Sequence, residues 1–111
     1  MAVVTVAAIA EAAETASEIQ NEMVDILLVE DDTTFCLMLK TWLTKKGFQV
    51  QEVFSCTDAL RKIKEKKCDV VLTDLRLPDE DGIELLKSVK AVCPYTQGIL
   101  MTGSEDLQTA V

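Results

Sequence analysis

The chain has 111 residues, 49% of them hydrophobic and 27% charged, and carries a net charge of −8. That length sets one domain, whose folding buries roughly two-thirds of the unfolded surface without disulfide or metal staples. The acidity argues against direct contact with nucleic acid, because no basic stripe exists to displace counterions from a polyanion.

Residues 1–24 read as an N-terminal extension. The opening "MAVVTVAAIA" lacks the positive start of a secretory signal and meets Glu11, Glu14 and Glu18 almost at once. Residues 2–6 are rich in β-branched side chains and predict a strand. From Ala7 to Met23 a helix is expected, with Glu11, Glu14, Glu18 and Glu22 on one face and Val6, Ile9, Ala13, Ala16 and Met23 mainly on the other. No segment reaches membrane-spanning length.

Residues 26–29, "ILLV", form the short continuous apolar run of a strand buried on both faces. "TTFCLMLKTWLTKKG" follows with Phe35, Met38, Leu39, Trp42 and Leu43 at helical spacing, and Gly47 marks its stop. "FQVQEVF" (48–54) alternates as a strand. "TDALRKIKEKK" (57–67) predicts an amphipathic helix with Leu60 and Ile63 inward. "DVVLTD" is the next strand, residues 82–92 the next helix, residues 97–102 a strand, and "SEDLQTAV" opens a further helix. The lysines at 45, 46 and 62–67 read as solvated helix ends. Cys36, Cys56, Cys68 and Cys93 show no CxxC spacing, and the chain has no histidine, which argues against a zinc site. They are expected as reduced, buried thiols, consistent with a cytoplasmic setting.

From residue 25 the order β-α-β-α-β-α-β-α implies a doubly wound parallel α/β sheet with right-handed crossovers. Ligands of such sheets sit beyond the C-terminal ends of the strands. Glu30, Asp31, Asp32, Asp74 and Thr102 fall there. Each has an ordinary explanation taken singly: acids at a helix N-terminus, a turn in "LPDEDG" built on Pro78 and Gly82, or a cap at Thr102 and Gly103. Taken together, they describe acids brought to one rim, which repel unless a hard cation such as Mg²⁺ joins them. A carboxylate beside that ion can take up a phosphoryl group.

These motifs resemble the receiver domain of two-component response regulators over residues 25–111. "DILLVEDD" is similar to the family's first strand and acidic pair, "DVVLTDLRLPDEDG" to its phosphoacceptor strand and loop, and "GILMTGSED" to its switch strand. The wording of "LPDEDGIELLKSVK" and "MTGSEDLQTAV" is also similar to receivers of the sigma-54 activator type. The resemblance implies a flavodoxin-like fold with strand order 2-1-3-4, counted from the strand at 26–29. It implies Asp74 as phosphoacceptor, Glu30, Asp31, Asp74 and the Arg76 backbone carbonyl around Mg²⁺, and Thr102 as the phosphate-sensing hydroxyl. It also implies a sensor histidine kinase or phosphotransfer protein as partner, and no enzyme activity beyond self-catalysed phosphorylation and dephosphorylation at Asp74.

The sequence also departs from the family's pattern. The family's fifth strand, its phosphate-pairing lysine and its fifth helix have no match, because the sequence stops at Val111 and no lysine follows Lys90. Residues 2–23 could replace the missing strand and helix, within the chain or by exchange with a partner chain. The competing expectation is a loose tail. An uncovered edge at residues 97–101 would promote self-association. Two other functional readings remain open here. One is a receiver-like fragment that folds and self-associates but signals poorly. The other is an aspartate-nucleophile phosphatase, against which stands Arg76 where such enzymes carry a second acid.

Overall fold

The computed structural model describes residues 24–101 in full and residues 2–4 as a backbone strand. Burial follows the two kinds of strand legible in the sequence. β1 (Ala2–Val4), β2 (Asp25–Val29), β3 (Gln49–Val53), β4 (Val70–Asp74) and β5 (Gln97–Met101) form one sheet in the order β1-β5-β4-β2-β3. Every pairing is parallel. β2 and β4 lie inside and are apolar almost throughout, whereas β3 lies at an edge and alternates exposed with half-buried positions before ending on buried Val53. Counted from β2, the order is 2-1-3-4, as expected, with β1 in the fifth position.

Helices cover both faces. α1 (Thr33–Lys45) packs Cys36, Leu39 and Leu43 against Ile26, Leu28, Leu72 and Met101. α2 (Cys56–Glu65) and α3 (Gly82–Val92) lie on the other face. They place Cys56, Ala59, Ile63, Leu85, Leu86 and Val89 against Leu27, Val29, Val53, Val71 and Leu100. Met38, one of the apolar residues at helical spacing in α1, is 62% exposed. It lies about 100° around the helix from Leu39, and Cys36 takes the inward place.

The helix ends are closed by side chains and turns. Asp32 Oδ1 accepts from Phe35 N at 3.1 Å and caps α1. At the other end Gly47 has φ 98°, its N–H reaches Thr44 O, and Phe48 N–H reaches Leu43 O. That pair of bonds is a Schellman stop, and it turns Phe48 into the α1 cluster. α2 begins and ends earlier than its sequence pattern suggested, with Ser55 Oγ accepting from Asp58 N at 3.2 Å. Asp81 Oδ1 accepts from Glu84 N at 2.8 Å and caps α3. Among the described residues, no helix is long and apolar enough to cross a membrane.

The edge of β5 is not left open in this arrangement. Ala2, Val3 and Val4 pair in register with Ile99, Leu100 and Met101 of the same chain. The helix expected over residues 7–23 and the one opening after Thr102 lie outside the described residues. A chain lacking residues 1–23 should expose the β5 edge and self-associate, shown by a concentration-dependent rise in mass during sedimentation. A truncated chain that stays monomeric and as stable as the full chain would contradict the pairing.

Candidate functional site

The register of the sheet brings its acids to one rim. Glu30 directly follows β2, and its backbone N–H donates to Val53 O at 3.1 Å, continuing the ladder by one bond. Asp74 closes β4 opposite Met101. One carboxylate oxygen from each of Glu30, Asp31 and Asp74 lies within 4.8 Å of the others. Glu30 is only 5% exposed, Asp31 is exposed and Asp74 is half-buried. Leu75 N donates to Asp74 Oδ1 at 2.8 Å and orients that carboxylate.

Electrostatics follow from the crowding. Burial pushes Glu30 up to about 7, and the charges of Asp74 and Asp31 push in the same direction. Asp32 N donates to Glu30 Oε1 at 3.0 Å, which favours the ionised form but does not offset the burial. The donor set is all oxygen, so it fits a hard divalent cation such as Mg²⁺ rather than a soft metal. Asp32 itself turns away to cap α1. Arg76 sits in the loop after β4, bridged antiparallel to Asp81, with its backbone beside the acids in sequence. Thr102 lies outside the described residues.

Two residues of the β4–α3 loop do more than the turn signature conveyed. Gly82 N–H donates to Leu75 O at 2.7 Å. A Cβ at Gly82 would collide with the Asp74 carbonyl oxygen and lie 2.9 Å from Leu100 Cδ1. Glycine is therefore needed for α3 to start against the end of β4. Asp79, which sequence reasoning passed over, accepts from Cys56 N at 2.9 Å, Thr57 N at 3.0 Å and Thr57 Oγ1 at 2.8 Å. Its only sequence signal was a carboxylate in a loop already full of them.

The cysteines stand apart from this chemistry. All four are free, and Cys36, Cys56 and Cys93 are buried. Burial, reinforced by nearby carboxylates, pushes Cys36 and Cys56 up to about 12. Cys68 rises to about 11, also mainly through burial. Thiols held this high stay protonated near neutral pH and act as small apolar side chains.

The raised value of Glu30 has a defined sign. Between about 4.5 and 7 the folded state holds a proton that the unfolded state has lost, so stability contributed at this residue falls as pH rises. Denaturation of wild type and Glu30→Gln without divalent cations should show this decline in the wild type alone. Mg²⁺ should restore wild-type stability more at pH 8 than at pH 5; equal effects at both would contradict the account. Gly82→Ala should cost roughly 1–3 kcal/mol by overpacking. Chemical denaturation checks it, and unchanged stability would contradict the close approach.

Comparison with known proteins agrees with the geometry. The model of the response regulator receiver domain matches residues 26–111. Over 88 residues the chain is 40% identical to the transcriptional regulatory protein ZraR of Salmonella typhimurium, covering 79% of this chain and 20% of that protein. It is 33% identical over 87 residues to the DNA-binding transcriptional regulator NtrC of Proteus hauseri, covering 78% of this chain and 18% of that one. A response regulator receiver domain protein from Clostridium thermocellum superposes with a TM-score of 0.71 at 32% identity, covering 79% of this chain and 71% of the other. The chain spans about a fifth of the length of the curated relatives it matches. These matches are to regulators rather than to a classical enzyme family. With its parallel sheet and strand order, the chain belongs to the response regulator receiver domain family of two-component systems.

Proposed function

We propose that this chain is a phosphoacceptor module in which Asp74 takes a phosphoryl group from a sensor histidine kinase or a phosphotransfer protein. The observation that carries the reading is the meeting of the Glu30, Asp31 and Asp74 carboxylates within 4.8 Å at the strand ends, in a chain of this family. A carboxylate oxygen of Asp74 forms the new bond to phosphorus, the bond from phosphorus to the donor's nitrogen breaks, and the departing imidazole takes up a proton. The product is an acyl phosphate on Asp74. Small phosphodonors serve the same way, so the module catalyses its own modification.

Glu30, Asp31, Asp74 and the Arg76 backbone carbonyl are the groups that would hold Mg²⁺. When bound, the ion neutralises charge on the transferring oxygens. Leu75 N–H holds the Asp74 carboxylate in place, and the Thr102 hydroxyl is the group assigned to meet the phosphate. Residues 25–111 form the receiver and residues 1–24 the extension that supplies β1. The new dianion then biases the surface around residues 97–111 between two arrangements. Because the chain covers about a fifth of its curated relatives, the output is assigned to protein contacts or to a domain outside residues 1–111. The setting is cytoplasmic, and this acidic segment makes no direct contact with nucleic acid or membrane.

The reading as a fragment that folds without signalling draws no support from the comparisons, and Arg76 still stands against a phosphatase. Incubation with Mg²⁺ and acetyl phosphate should add one phosphoryl group to the wild type and none to Asp74→Asn, read as intact mass. Equal labelling of both would refute the assignment. Chelation of Mg²⁺ should reduce labelling at least tenfold.

A further inference from the structure

We propose that Asp79 is a positioning residue for phosphoryl acceptance, tying the loop beyond Asp74 to the N-terminus of α2. The inference rests on the proposed role of Asp74 and concerns a residue outside the motif that identifies the family. Its basis is where the loop finds its anchors. The root of the loop is closed by Gly82 N–H on Leu75 O and by the bridge between Arg76 and Asp81. Between Arg76 and Asp81, the residues Pro78, Asp79 and Glu80 are exposed, so apolar burial at Leu75 and Leu77 fixes little of the outer turn.

Asp79 supplies the missing anchor. Both of its carboxylate oxygens accept from residues 22 and 23 positions earlier in the chain. Cys56 Sγ donates to Glu80 O at 3.6 Å beside them. The arrangement also serves α2. A helix start leaves N–H groups with no partner inside the helix. Ser55 Oγ takes that of Asp58, and Asp79 takes those of Cys56 and Thr57. A negative charge is favoured at this end of a helix, and bonds from ionised acceptors are the stronger kind. The same three donors hold the Asp79 carboxyl well below its usual range.

Loop and helix are thus locked by one carboxylate, three residues beyond Arg76, whose carbonyl is assigned to the cation and whose bridge to Asp81 spans the same loop. Losing the lock should loosen the cation site without removing any of its ligands. Groups that orient metal ligands from behind commonly change affinity or activity by about 10- to 100-fold.

The test compares the full chain with Asp79→Ala, Thr57→Val and Ser55→Ala at a temperature where circular dichroism shows each folded. Calorimetry gives the Mg²⁺ dissociation constant, and acetyl phosphate labelling at saturating Mg²⁺ gives the rate. Asp79→Ala should raise the constant and slow labelling, each by about tenfold. Thr57→Val, which removes one of the three bonds, should shift both in the same direction by less. Ser55→Ala weakens the same helix start without touching the loop and should leave both within about twofold of wild type. Wild-type behaviour of Asp79→Ala overturns the inference while leaving the role of Asp74 intact. So does an equal effect of Ser55→Ala, because the cause would then be helix stability. If Asp79→Ala does not fold, Thr57→Val decides, and no change in it overturns the inference. A wild type that neither binds Mg²⁺ nor takes the label would remove the parent assignment and this one with it.

Discussion

Mutual repulsion among Glu30, Asp31 and Asp74 is the constraint on which the structure turns. Three carboxylates within 4.8 Å, one of them 5% exposed, are an unfavourable group in isolation. They stay together because the sheet register leaves them no alternative. β2 and β4 are adjacent and parallel, both buried on two faces, so their C-terminal ends must meet at the same rim. Hydrophobic burial along Ile26–Val29 and at Val71 and Leu72 therefore holds an electrostatic conflict in place. Protonation of Glu30 or a cation would relieve the conflict, and the second route is the one the proposed phosphoryl transfer needs.

Everything around the rim works to keep that arrangement stiff. Asp32 leaves the cluster to cap α1, and its backbone N–H returns to Glu30. Gly82 lets α3 start against the Asp74 carbonyl, while Asp79 fastens the intervening loop to α2. On the far side β1 closes the edge of β5, the strand that leads to Thr102. A sheet whose fifth strand arrives from the N-terminus keeps the neighbours of β5 while changing which part of the chain touches it. Asp74, the proposed modification site, and the N-terminal segment are thereby joined through β5.

Much of this was legible in the sequence because it depends on short-range periodicity. Continuous apolar runs marked β2 and β4, alternation marked β3, and the strand-end rule put Glu30, Asp31 and Asp74 at one rim. Asp32 was legible as one of the acids at a helix N-terminus, and the structure makes it the cap of α1. What escaped reading depends on packing or distance. Met38 and Cys36 are both apolar and two residues apart, and only the sheet beneath α1 decides which turns inward. The lock between Asp79 and Cys56 spans 23 residues, and nothing in "LPDEDG" separates the acid that caps α3 from the one that crosses to α2. The strand at residues 2–4 was visible, and its use as a replacement fifth strand was one of the arrangements left open, but its register against Ile99–Met101 of the same chain was fixed only by the structure.

The most direct measurement is the position of the acyl phosphate. After incubation with Mg²⁺ and acetyl phosphate, borohydride reduces an aspartyl phosphate to homoserine, which peptide mass spectrometry locates. The account predicts conversion at Asp74 alone. Conversion at Asp31 instead, or none under conditions where Mg²⁺ binds, would contradict it.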